Sequence, residues 1–316
     1  MAASTARGAG FALAGFAVYS CHDAVVKGLG AHYDAIQILF FSALLGFPLI
    51  ALILIREGDG GSLWPRRPGW TALRTVAVML NILMAFYAFS AIPLAETYAI
   101  IFSTPLIITA LSVPILGERV GARRWAAVVL GLIGVLIVLR PWSASELSFG
   151  HLAALISAGS SALVSVIVRK IGNEERSVVL LLYPLLANVV LMGCLLPVVY
   201  RPMPVAHLGA MALVAIGALT AMWLMISAYR ASEAATVAPM QYSQMIWAVL
   251  IGYLVFDEIP DAATLIGAAV IAASGSIVFL REGRAQVSEN QPALHATDRA
   301  GVAPDPVLLG VEETPE

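Results

Sequence analysis

Apolar residues fall in long runs along this chain, broken by short links that carry glycine, proline or charge. The runs lie near residues 10–29, 35–55, 70–91, 95–116, 122–140, 150–169, 178–200, 207–229, 235–256 and 262–280. At about 1.5 Å per helical residue, each is long enough to cross the ~30 Å hydrocarbon core of a bilayer. Backbone amides in lipid must be paired within their own segment, and barrel strands would be shorter and alternating, so the runs are read as helices. The expected fold is all-α and integral to the membrane, with ten transmembrane helices.

Composition agrees with this pattern. Of the 316 residues, 60% are hydrophobic and only 12% charged, against roughly 25% charged in a soluble domain. The first run follows Arg7, as a secretory signal would. It nevertheless carries His22 and Asp23 where a signal shows small residues, and nine more runs follow, so it is read as the first span.

Charge then orients the chain. With a cytoplasmic N-terminus, only Lys27, Arg140 and Arg201 of the 18 basic residues fall on the outer side. The positive-inside rule therefore predicts that both termini are cytoplasmic. A net charge of −2 gives no reason to expect nucleic acid. Cys21 and Cys194 each sit inside an apolar run and read as core thiols, and the five histidines show no metal-ligand spacing. No cofactor or metal is expected. From 282 onward the sequence turns polar and acidic with four prolines, which predicts a disordered tail.

A shift of 140 residues places Ala88-Phe89-Ser90-Ala91 on Ala228-Tyr229-Arg230-Ala231, Ala95 on Ala235 and Glu118 on Glu258. Five helices per half is an odd number, so the second half enters the membrane from the opposite side. Inverted repeats with a binding site near midplane are a recurrent transporter architecture. The expected division is a short cytoplasmic N-terminus (1–9), a first five-helix repeat (10–140), a second (150–281) and a cytoplasmic tail (282–316).

Specific motifs narrow this further. Phe86-Tyr87-Ala88, Ile92-Pro93-Leu94-Ala95-Glu96, Ser103-Thr104-Pro105-Leu106, Leu116-Gly117-Glu118-Arg119, Arg123-Arg124-Trp125 and Gly131-Leu132-Ile133-Gly134 occur in that order. Over residues 10–281 the chain resembles the drug/metabolite transporter superfamily, in its EamA-type branch of two five-helix repeats. Asp23-Ala24-Val25-Val26-Lys27 and Gln37-Ile38-Leu39-Phe40 are similar to the subgroup holding riboflavin and S-adenosylmethionine carriers. Ser42 stands where such relatives often have arginine, and Met245 where the second repeat often has proline. The resemblance implies a multi-pass inner-membrane secondary transporter of a small metabolite, working by alternating access. Its expected partners are that small molecule, the lipid bilayer and, as an open option, a second copy of the chain.

Charged groups inside a span are costly, so each invites a functional reading. Asp23 and Lys27 are an i, i+4 pair on one face of the first span. Glu96, near the outer start of the fourth span, and Gln37, near that of the second, lie at similar depth. The four are candidates for lining an outward vestibule, with Asp23 as a proton-coupling carboxylate. The competing reading is that Asp23 and Lys27 neutralise each other while Glu96 favours a helix N-terminus. Nearer midplane come Asn81, Ser103, Thr104, Ser160, Ser161 and Asn188, types that more often serve packing. In the ninth span Gln241, Tyr242, Ser243, Gln244 and Trp247 cluster, and with Tyr183 and Trp223 they offer rings and donors suited to a flat heterocycle. Pro105 and Pro239 are candidate hinges. Glu118, among Arg119, Arg123 and Arg124, and Glu258 read as structural ion-pair partners.

The sequence carries no HExxH or GxSxG constellation, which disfavours an intramembrane enzyme. A ring of like charges or a carbonyl filter, as a channel would use, is also missing. The expected activity is uptake of a planar, nearly neutral metabolite, riboflavin first, with export or import of amino acids, S-adenosylmethionine or other metabolites as the alternative.

Overall fold

Among the described residues each apolar run is helical, and the interruptions fall where backbone chemistry requires them. A computed structural model describes residues 2–56, 64–117, 120–140, 148–171, 174–175, 177–231 and 237–282. Helix α1 spans Ala2–Gly30, α2 Ala35–Arg56, α3 Pro68–Ala91, α4 Leu94–Ile101, α5 Thr104–Leu116 and α6 Ala122–Leu139. In the second half α7 spans Phe149–Ile171, α8 Ser177–Val199 and α9 Val205–Ala231. A 3-10 turn over Ala238–Tyr242 then leads into α10, Ser243–Phe256, and α11 closes the series at Ala262–Glu282. Among the described residues the chain is all-helical. Glu118, Arg119 and the tail from 283 onward, for which ion pairing and disorder are expected, lie outside the described residues, as do the side chains of Arg123 and Arg124.

Among the described residues, six stretches are long and apolar enough to cross a membrane by length and composition: Arg7–Gly30, Pro68–Ala91, Leu94–Leu116, Phe149–Ile171, Leu182–Val199 and Val205–Tyr229. Ala35–Pro48, Trp125–Leu139, Met240–Phe256 and Ala262–Ser274 form shorter apolar helices. The fourth expected span is not continuous, because α4 and α5 are separated at Phe102-Ser103.

Packing follows the 140-residue shift. The most extensive contacts are α1 against α9 and α3 against α7, two pairs that the shift exchanges. Helices α6 and α11 cross each other, and there the symmetry reaches individual residues. A Cβ on Gly134 would meet Ile271 at 2.7 Å, and one on Gly131 would meet the Ser274 hydroxyl at 2.9 Å; the shift converts one contact into the other. Their backbones approach so closely that a Cβ on Gly134 would also meet the Gly267 carbonyl at 2.9 Å. Small residues are what allow helices to associate in lipid, where burial of apolar surface supplies little drive.

Helix ends repeat as well. Gly117, after α5, takes a left-handed conformation (φ 74°), and Asp257, after α10, does the same (φ 55°). These positions are 140 apart. Glycine enters that region without a Cβ penalty, and Asp is among the few other residues that tolerate it.

Links between the halves close both ends of the bundle. At one end Arg67 donates to Glu174 at 2.6 Å and its backbone N–H to Glu175. The Glu174 hydrogen bond and charge hold the Arg67 guanidinium above its ordinary range. Lys170 there donates to the Ile115 carbonyl at 2.7 Å and lies over Trp70. At the other end Tyr33 meets His207 at 2.7 Å, and Arg140 pairs with Asp261.

Candidate functional site

The two helix interruptions occupy the same place in each half, since Phe102, Ser103 and Thr104 map onto Tyr242, Ser243 and Gln244. In the first half the cause is Pro105. It has no N–H for the Ile101 carbonyl, and its ring crowds that oxygen. The Thr104 hydroxyl donates to the Ile101 carbonyl and the Ser103 hydroxyl to the Ile100 carbonyl, each at 2.7 Å. The break is thus satisfied by its own side chains. The second half keeps the geometry without proline at 245, with Pro239 at the start of the 3-10 turn instead. Phe102 and Tyr242, the residues at the two breaks, meet edge to face at 5.4 Å. A residue touching its own repeat equivalent lies on the axis relating the halves.

The equivalence ends at the polar atoms. Whereas Ser103 and Thr104 spend their hydroxyls on the backbone, the Tyr242 hydroxyl, the Ser243 hydroxyl and the Gln244 amide nitrogen are buried with no partner among the described residues. The Trp247 indole nitrogen, one turn on, is in the same condition. Four unpartnered donors therefore fall within six residues at the start of α10. Gln244 is only 2% exposed. A buried donor left unpaired costs on the order of 1–3 kcal/mol, so a group of four is unusual in a stabilised core. Elsewhere, Asn188 Oδ1 on α8 and the Ser42 hydroxyl on α2 are also buried and unpartnered. Gln241 is half-buried in the 3-10 turn, and Tyr183 half-buried on α8 beside Pro184.

A second polar group surrounds Asp23, which is 2% exposed. It takes a hydrogen bond from the Tyr98 hydroxyl of α4 and one from Nδ1 of His22 at 2.8 Å. Ser20 lies 3.4 Å from the same Tyr98 hydroxyl. An isolated carboxylate could not be buried at this depth; the hydrogen bonds from Tyr98 and His22 make it tolerable.

The competing reading, in which Asp23 and Lys27 neutralise each other, is not what the structure shows. Lys27 instead binds Glu258 at 2.8 Å, with the Ile92 carbonyl at 2.7 Å and the Phe89 carbonyl at 3.4 Å. Glu258 in turn accepts the Leu94 N–H at 3.1 Å, capping α4 from the opposite half. Glu96 stands in the first turn of α4, where the helix dipole favours it, but its side chain meets Nε2 of His151 at 3.1 Å. The Ser148 N–H donates to His151 Nδ1 at 3.1 Å, which leaves Nε2 as the nitrogen that donates to Glu96.

Gln37, expected near an open vestibule, is fully buried. Its amide clamps the backbone of Arg201, donating to the carbonyl and accepting the N–H, both at 2.8 Å. The four residues expected to share a vestibule are thus divided among separate partners. Asn81 accepts the Ser157 hydroxyl at 2.8 Å within the α3–α7 contact, a packing role.

Trp223 departs furthest from expectation. It is 60% exposed and continues a stripe of exposed residues, Leu213, Ile216 and Thr220, opposite the face that α9 turns to α1. Cys21 and Cys194 are likewise exposed, not core thiols. His22, Tyr98 and His151 carry polar contacts that the sequence pattern did not single out. Their adjacency to Asp23 and Glu96 was the available signal, but their partners are remote in sequence.

The family model described as the EamA-like transporter family matches residues 6–140 and again 148–280. A riboflavin transporter of Vibrio cholerae is 28% identical over 77% of this chain and 80% of its own length. An S-adenosylmethionine uptake transporter of Rickettsia bellii is 23% identical over 88% and 95%. A pseudopaline exporter of Pseudomonas aeruginosa is 27% identical over 80% and 89%. One solved crystal structure shares the fold at a TM-score of 0.54 and 20% identity, over 90% of this chain and 99% of that one.

Proposed function

The chain belongs to the EamA-like transporter family, and from that premise we propose that its cargo is gripped at the start of α10. It is a small-metabolite transporter of the bacterial inner membrane. Ten spans, with α4–α5 as the fourth and the 3-10 turn plus α10 as the ninth, are our reading of the helices. The two halves, 10–140 and 150–281, then run in opposite senses, with both termini cytoplasmic. In this orientation the Lys27–Glu258 end is the outer one. A reporter fused at Glu316 should therefore read as cytoplasmic, and a periplasmic signal would overturn the topology.

The observation that carries the cargo reading is the contrast between the two breaks. The first break uses up its hydroxyls on the backbone, and the second leaves four donors unpaired. Trp Nε1 and Gln Nε2 can only donate, and the two hydroxyls can do so. A cargo bound there presents hydrogen-bond acceptors, and the Tyr242 and Trp247 rings suit a flat one. No Asp, Glu, Lys or Arg lies between 237 and 256, and Ser42 supplies no positive charge from α2, so a strongly anionic cargo is disfavoured.

Riboflavin satisfies these conditions, since its ring edge alternates carbonyl acceptors with one N–H and is uncharged. Half-helix ends and unwound backbone near midplane are where transporters of inverted-repeat type hold substrate. Relatives include both uptake and export proteins, so direction is not part of the proposal. The test is growth of a riboflavin auxotroph lacking its own importer, together with thermal shift of the purified protein. Rescue, or stabilisation by riboflavin that Gln244→Leu removes, supports the reading. Stabilisation by S-adenosylmethionine or an amino acid alone would replace riboflavin as cargo.

A further inference from the structure

We infer that Asp23 is a proton-binding site whose charge state is passed to the α10 site through the rings of Tyr98, Phe102 and Tyr242; this rests on the reading that α10 holds the cargo. Tyr98, which donates to Asp23, stacks on Phe102 at 6.1 Å. Phe102 sits at the first helix break and meets Tyr242 at 5.4 Å, and Tyr242 begins the run of unpartnered donors. One hydrogen bond and two ring contacts thus join a buried carboxylate to the proposed cargo site, and the middle ring, Phe102, lies at the axis relating the halves.

Several helices bring charged and titratable groups towards Asp23. On α1 itself these are His22, bonded to it, and Lys27 one turn on, held by Glu258 beyond α10. Helix α4 brings Tyr98 and, two residues earlier, Glu96, which is engaged by His151 of α7. Helix α3 brings the Phe86 ring to His22 and the Phe89 ring to Tyr98, and its one charged residue, Arg74, binds the Leu180 carbonyl. Helix α9 presents Gly217 to His22. The only charged residues of α2 and α9 are Arg56 and Arg230, near their far ends; α10 has none, and the 3-10 turn contributes Tyr242.

Proton binding changes what Asp23 can accept. As a carboxylate it takes charge-assisted bonds from Tyr98 and His22, roughly twice as strong as neutral ones. A proton taken from solvent onto the Asp23 carboxyl removes that charge and turns one oxygen into a donor. The Tyr98 hydroxyl is then held less tightly, on a helix of eight residues that ends at the break. Its release lets Tyr98 and Phe102 shift together, which alters the packing of Tyr242.

A cysteine reporter tests this without a known cargo. In the full chain with Cys21→Ala and Cys194→Ala, Ser243→Cys is labelled with a maleimide across a range of about pH 5 to 8. The same profile with Asp23→Asn corrects for the thiol's own titration. The expected result is a labelling rate that varies at least about fivefold more with pH when Asp23 is present, the lower end of typical coupling between sites. Identical profiles would overturn the proposal.

Tyr98→Phe provides a second variant should Asp23→Asn fail to fold. It keeps the His22–Asp23 contact and cuts the link, so it is expected to abolish the pH response at Ser243→Cys; an unaltered response again overturns the inference. Protection of Ser243→Cys by riboflavin reports on the cargo site separately. Loss of the pH response in both variants without such protection would leave the proton link standing and remove riboflavin.

Discussion

Breaking the Lys27–Glu258 pair with Glu258→Ala should destabilise the protein by about 3 kcal/mol. Removing one partner of a fully buried pair costs about 3–5 kcal/mol. Here the side chains are 11% and 21% exposed, and Lys27 keeps the carbonyls of Ile92 and Phe89. We therefore take about 2 kcal/mol for the stranded ammonium, below that buried range. The Leu94 N–H loses its cap as well, which adds about 1 kcal/mol, the usual worth of a capping group. Lys27→Met alone leaves Glu258 with Leu94 and some solvent, and should cost about 1 kcal/mol, near the exposed-pair range. The double variant has no stranded charge, so its total should fall to about 2 kcal/mol, a coupling of about 2 kcal/mol. The assay is thermal unfolding in detergent, where Glu258→Ala should lower the midpoint by roughly 4–6 °C. Additivity of the two single variants within about 0.5 kcal/mol would refute the pairing.

Three other outcomes follow from the packing and the site. Gly134→Leu should abolish a monodisperse folded peak on size exclusion, because even a Cβ meets the Gly267 carbonyl; Gly209→Leu, where nothing lies within 4 Å, should leave the peak unchanged. Gln37→Leu strands the Arg201 N–H and carbonyl, and should cost about 2–3 kcal/mol in thermal unfolding while leaving the range of cargoes unaltered. Trp247→Phe removes one donor and should weaken riboflavin binding about tenfold, measured by fluorescence quenching, whereas Trp223→Phe should not change it; equal effects would refute the placement of α10 as the site.

Much of the fold was legible because lipid enforces local rules. A backbone inside hydrocarbon must satisfy itself within the segment, so run length alone places a helix, and the ends of α2, α6 and α11 lie within two residues of the apolar runs. The interruption near Pro105 follows from a missing N–H, and the shift of 140 from the letters themselves. The cluster of Gln241, Tyr242, Gln244 and Trp247 was visible for the same reason: polar residues in an apolar run stand out one by one.

Partnership was not legible, because it depends on how helices rotate and cross. Spacing put Lys27 beside Asp23, yet Lys27 pairs with Glu258 and Asp23 takes the Tyr98 hydroxyl as well as its neighbour His22. Facing was hidden too. Lipid is as apolar as the protein core, so nothing in the apolar run around Trp223 or Cys194 says whether a side chain points in or out. The sequence by itself determined where helices form and that they come in two related sets. Only the tertiary structure decided which polar atoms are satisfied and which are left over, since a hydrogen bond needs two groups at one place and the sequence specifies only one of them at a time.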